Sequence, residues 1–170
     1  YATVALDGTG TLTADILTPV IFNIEAAPDG SGDLTAHALS GSVAIRYWVG
    51  GSGNWSDTAH WSASSGGAGN ASVPGDLSPT VFDGSSSGTI TVDVASSCAS
   101  VTVSNTASII AGSAELKIFG PMTLVSGGSF THSGIIAFSA LDGSHLITTS
   151  GISLVCTIRF AGVAFGVGYG

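Results

Sequence analysis

The sequence predicts an all-β chain, in which short hairpin-like repeats at the N-terminus are followed by a β-solenoid. Three observations carry that expectation. From Thr80 onward, runs such as "GTITVDV", "CASVTVS", "AELKIFG" and "ISLVCTIRF" alternate apolar and polar residues and are broken by Gly, Asn or Ser at strand-and-turn spacing. β-Branched residues dominate these runs, and none holds a 3.6-residue apolar period for three turns. Finally, "ALDGTGTLTADIL" (Ala5 to Leu17) returns 22 positions later as "APDGSGDLTAHAL" (Ala27 to Leu39), which implies two copies of one unit. Rungs this regular fit parallel coils stacked on one another; an antiparallel β-sandwich or jelly roll is the alternative. Asp142-Gly143 has the form of a hairpin turn and argues for some antiparallel pairing.

Taken in order, residues 1–45 hold the repeat. Asp7-Gly8 and Asp29-Gly30 read as turns, because glycine takes positive φ without steric cost. A calcium site there would need more oxygen ligands than one carboxylate per turn. Residues 46–80 form a strap and an irregular loop. "RYWVGGSGNWSDTAHWSASSGG" places all three tryptophans within fourteen positions, among glycines and serines. Trp48, Trp55 and Trp61, with Tyr47 and Phe82, are expected to anchor this strap to the β-core, since each ring buries a large area. The competing reading is a stacking platform for the sugar rings of a host glycan. Trp55 and Trp61 are an even number apart and would share a face of an extended segment. Ser62 to Thr80, punctuated by Pro74 and Pro79, reads as a loop held between groups that want burial. Residues 81–170 form the solenoid or sandwich.

Composition narrows the function. A length of 170 residues suits one domain, or one domain with a small appendage. Only 8% of residues are charged, against about 25% in an ordinary soluble domain, so the surface must be largely Ser, Thr, Asn and Gly. Such a surface suits burial in an assembly. The net charge is −8, and Arg46, Lys117 and Arg159 are the only basic side chains, which excludes a phosphate-binding stripe and with it nucleic-acid binding. No apolar run reaches roughly 18 residues; the best, Ile152 to Gly168, contains Arg159 and several glycines, so no membrane span is expected. The start, "YATVALDGTG", lacks the basic n-region of a signal peptide. Cys98 and Cys156 sit in strand-like settings and read as buried thiols, with a single disulfide as the alternative.

Catalytic patterns are weak, and no enzyme, cofactor or metal is expected. Gly84-Ser85-Ser86-Ser87-Gly88 fits the G-x-S-x-G spelling but runs into a strand, whereas a nucleophile elbow needs a helix. His37, His60, His132 and His145 are dispersed, and Asp57 with His60 has no nucleophile beside it. Glycan cleavage would need two carboxylates about 5–9 Å apart. Its candidates, Asp83, Asp93, Glu115 and Asp142, fall one per coil. Asn54-Trp55-Ser56 and Asn70-Ala71-Ser72 spell glycosylation acceptors.

The stretch "YWVGGSGNWSDTAHWSASSGGAGNASVP", followed by "VFDGSSSGTITVDV", resembles a module of bacteriophage structural proteins and, more loosely, of bacterial autotransporter passenger proteins. In that module a W-x-G-G-x-G-N-W-S-D…W strap, a Val-Pro and a Phe-Asp lead into a Thr/Val-rich β-solenoid. The matching positions are Trp48, Gly50, Gly51, Gly53, Asn54, Trp55, Ser56, Asp57, Trp61, Val73, Pro74, Phe82 and Asp83. The "LDGTGTLTADI" units resemble repeats of phage tail and virion proteins. Pro79 departs from the pattern and unsettles the register of the first strand. The resemblance implies a virion structural role, as capsid decoration, head fibre or tail fibre. It implies partners among copies of the chain, as a trimer, and among other virion proteins such as the major capsid or tail protein, with a host surface glycan as a further contact. A bacterial cell-surface or secreted adhesin is the alternative.

Overall fold

The computed structural model describes residues 44–106, 108–127, 129–139 and 146–160, and the backbones of four strands that precede them. The chain divides into two compact units, Tyr1–Leu39 and Ser40–Gly170. In the first, β1 (Val4–Leu6) pairs antiparallel with β2 (Leu12–Ala14), and β3 (Phe22–Ala26) with β4 (Leu34–Ala38). Each copy of the repeat thus contributes its Leu-Thr-Ala to a returning strand. The turn residues Asp7, Gly8, Asp29 and Gly30 lie outside the described residues.

The second unit is a parallel β-solenoid of about four turns. Three sheets wind round one core. The first stacks β5 (Arg46–Trp48), β8 (Pro79–Phe82), β11 (Ser100–Val103), β14 (Met122–Leu124) and β17 (Ile147–Thr148). The second stacks β6 (Gly53–Asn54), β9 (Gly88–Val92), β12 (Ser108–Gly112) and β15 (Ser129–Phe130). The third stacks β10 (Ser96–Cys98), β13 (Leu116–Ile118), β16 (Ile135–Phe138) and β18 (Thr157–Phe160). Only β7 (Trp61–Ser62), which lies along β5, runs antiparallel among the described strands of this unit. The antiparallel pairing expected around Asp142-Gly143 is not formed by the flanking strands, since β16 and β17 belong to different sheets; the two residues themselves lie outside the described part.

Period-two alternation explains the inward and outward faces. In β11, Val101 and Val103 are buried while Ser100 and Thr102 face outward, and β8 repeats the pattern with Thr80 and Phe82 inside. Pro79 opens β8 opposite Ser100, a first-strand position at which the missing N–H removes no rung from the ladder's interior. Parallel stacking then brings like positions together, so Cys98, Ile118, Phe138 and Phe160 form one column and Leu116, Ile136 and Ile158 another.

The corners are built as economically. Asn105 donates through Nδ2 to the carbonyl of Asp83 and to Ser86 Oγ, and accepts from the Ser108 amide at 2.8 Å. Ser86 and Ser108, both buried, share a hydroxyl hydrogen bond of 2.8 Å. A corner thereby hydrogen-bonds to its equivalent one coil away, a separation of 22 residues. At the end of β12, Gly112 has φ of +108°, and a Cβ there would collide with the backbone of Val92 in the coil before. Gly112→Ala is expected to cost about 1–3 kcal/mol through positive φ and this close approach, read as a lowered urea midpoint with the slope unchanged.

Cys98 and Cys156 are both free thiols, which settles the disulfide alternative. Burial pushes the Cys98 thiol up to about 12, with a hydrogen bond involving Thr80 pulling weakly the other way, and burial also raises Cys156. Because the thiolate is the reactive form, a thiol-reactive dye at pH 8 is expected to label Cys156 in the native protein, leaving Cys98 unlabelled until denaturant is added.

Candidate functional site

The densest constellation is the strap at the first rung. Trp48 and Trp61 face each other from β5 and β7, paired in register. Their rings meet edge-on with centroids 5.1 Å apart; Trp55 meets Trp61 at 4.9 Å, and Phe82 lies 5.9–6.3 Å from all three. All four are at most 1% exposed. These rings therefore offer no face to a sugar, and the stacking-platform expectation for Trp48, Trp55 and Trp61 is overturned by their burial. Trp55 and Trp61 are also not neighbours on one extended strand. A 3-10 turn, Thr58–His60, folds the chain back between them, and Trp61 Nε1 donates to the Trp55 carbonyl at 2.7 Å. Tyr47 points the other way, half-buried on the outer face between Ser62 and Val81. It stands outside the cluster because neighbours in a strand alternate sides.

Several parts of this cap were not foreseen from the sequence. His60 stacks on Trp48 with centroids 4.7 Å apart and planes within 3°, and its Nδ1 lies 3.0 Å from the Val49 carbonyl. Gly53 is required beneath it, since a Cβ would run into the imidazole. Asp57 accepts from the Ala59 amide at 2.9 Å and caps the turn, so Asp57 and His60 serve separate structural contacts. An Asp immediately before a tight turn is a recognisable capping signal; the histidine had none. Arg46 is 7% exposed and takes only neutral acceptors among the described residues, chiefly the Ser72 carbonyl at 2.8 Å and Ser72 Oγ at 2.7 Å. It ties the loop to the rung.

The carboxylates proposed for glycan cleavage are occupied locally. Asp83 accepts from Ser85 Oγ at 2.5 Å and from the Ser85 amide at 2.8 Å. Asp93 accepts from Ser56 Oγ at 2.6 Å and the Ser56 amide at 3.1 Å, fastening the strap to the next coil. Glu115 pairs with Arg159 at 2.6 Å. Asp142 lies outside the described residues. Asp83 stands at the corner between the first and second sheets, Asp93 and Glu115 at the corner between the second and third, so Asp83 does not face the others. Ser86 of the G-x-S-x-G spelling is buried, donates to the Asp83 carbonyl and precedes β9 rather than a helix. No group of three or more His, Cys, Asp or Glu able to hold a metal occurs among the described residues.

Compared with protein-family models, curated proteins and solved structures, the chain matches none.

Two outcomes follow from the cap's geometry. Trp61→Ala removes the ring on which both other tryptophans close, and a loss of about 3–5 kcal/mol is expected in urea unfolding followed by tryptophan fluorescence. For Asp93, burial alone would raise the carboxyl, but the Ser56 hydrogen bonds outweigh it and hold it below the usual carboxylate range. A carboxyl lowered in the folded state contributes stability that is present above its unfolded value and lost as pH falls through its folded value. Wild-type stability is therefore expected to fall below about pH 4, and Asp93→Asn to start lower and show a shallower acid dependence.

Proposed function

We propose that the chain is a non-enzymatic structural component of a bacteriophage virion, serving as capsid decoration, head fibre or tail fibre, and that it assembles with copies of itself as a trimer. The observation that carries this reading is the pairing of a parallel solenoid, capped at its first rung, with a surface of low charge. Between β5 and β18 the outward positions are largely Thr, Ser and small apolar residues, such as Val81, Thr102, Thr123 and Thr148 in register along the first sheet. Flat uncharged β-faces of this kind, without the lysines that protect solvent-exposed strands, suit lateral contact inside an assembly. The engaged state of Asp83, Asp93 and Glu115 supports a scaffold over a hydrolase.

The experiment is immunogold electron microscopy of the source material with antibody raised against residues 1–170. Label on capsids, fibres or tails is expected, and its position identifies the part. Label on cell envelopes, with particles bare, would replace this reading with a cell-surface adhesin. Light scattering of the purified chain is expected to give a mass of about three times 16.7 kDa.

A further inference from the structure

The chain carries only three basic side chains, and two of them stand on the same outer face of the third sheet. Register places Ser97, Lys117, Ala137 and Arg159 in one column across β10, β13, β16 and β18. Arg46, the third, is buried among neutral oxygens at the opposite part of the stack. Arg159 is satisfied by Glu115. Among the described residues Lys117 has no ion-pair partner; its ammonium lies 5.9 Å from the centre of the Phe119 ring.

Here the face carries a shallow, largely open depression. A groove of about 230 Å³ opens over the column, lined by Asp76, Ser96, Ser97, Glu115, Lys117 and Phe119, with Ala95 at its rim. Asp76 reaches in from the loop before β8 and accepts from Ser97 Oγ at 2.5 Å. The strap loop thus supplies one wall and the coil corners the other. The volume lies below the roughly 300 Å³ at which sites for drug-sized ligands begin, so it suits a single ring or a short hydroxy acid.

The lining sets the chemistry. A carboxylate stands on each side, and because a carboxylate offers about four lone-pair sites, each can receive a hydroxyl beside the partners it already has. Lys117 supplies a charge-assisted donor for one acidic or carbonyl oxygen, and the half-buried Phe119, which lines the groove, gives an apolar patch for C–H groups. Of the other two cationic side chains, Arg46 is buried among neutral oxygens and Arg159 is paired with Glu115, which leaves Lys117 as the cation without an ion-pair partner among the described residues. We infer that this groove is a binding subsite for a hydroxyl-rich acid of the size of one hexuronate, with Lys117 holding its carboxylate and Asp76 and Glu115 accepting its hydroxyls. The site is separate from the tryptophan cap and does not depend on where the chain assembles.

The test is a titration of the full chain followed by amide NMR, using glucuronate, glucose and inorganic phosphate as separate probes. Glucuronate is expected to move the amides of residues 76, 96–97 and 115–119, glucose to move the same set at higher concentration, and phosphate to leave most of the set in place. Lys117→Gln, at a half-buried position on the outer face of β13, is expected to weaken glucuronate about tenfold or more while leaving glucose nearly unchanged, with an unaltered circular dichroism spectrum. Three results would overturn the inference: no movement at about 100 mM glucuronate, equal affinity in wild type and Lys117→Gln, or equal perturbation by phosphate, which would mark a bare attraction of anions to Lys117. Each is independent of the immunogold result.

Discussion

A stack of parallel strands has to end, and its terminal rung leaves a row of backbone donors and acceptors unpaired and an apolar layer uncovered. The rest of this structure depends on how the first rung answers that constraint. β7 lies along β5 and pairs with it, and Trp48 from β5, Trp61 from β7, Trp55 from the chain between them and Phe82 from β8 close over the opening. A small number of large rings does what many smaller side chains would do elsewhere, which is why a segment made mostly of glycine and serine can close a core. The glycines are equally necessary, since Gly53 lets the His60 ring lie flat against the rung and on Trp48. The opposite end differs: Leu146 is 70% exposed, Val155 79% and Phe160 61%.

Much of the architecture was legible in the sequence. Alternation of Thr and Val with Gly, Asn and Ser at the breaks is what a rung looks like when one face packs inward, and the breaks fall at the corners between the strands of a coil. The choice between solenoid and sandwich was harder to read. A strand such as Ser100–Val103 has the same alternation whether its neighbour is the next strand in sequence or one 21 residues away; pairing direction is a long-range property, decided by which partners bury Val101 and Val103 together. Asp142-Gly143 illustrates the limit, because a turn dipeptide fixes a local change of direction without saying whether the next strand returns beside the last.

The cap was legible as to its residues and illegible as to its form. Burial of Trp48, Trp55 and Trp61 follows from size and hydrophobicity, but the even spacing of Trp55 and Trp61 misleads, since the 3-10 turn capped by Asp57 cancels the alternation of an extended strand. Isolated carboxylates were the least readable. Asp83 and Asp93 could have faced a groove; instead Ser85 and Ser56 take them up, and in the case of Asp93 the partner lies 37 residues away. A sequence does not announce such pairings, because Ser and Asp are equally common at turns that have no partner.

A closed first rung and a repeating step of 20 to 22 residues also set a direction in time. In a one-dimensional stack each coil contacts only its neighbours, and ordering spreads from wherever a stable seed forms. The aromatic cap lies at the N-terminal side of the stack, in segments that leave the ribosome before the coils that rest on them, and domains generally order in that sequence during synthesis. Each newly emerged coil then meets a finished ladder edge of matching register and needs only to lie down along it. Translation and stacking run the same way, so that a chain with little charge to keep its strands apart never has to present many unpaired edges at once.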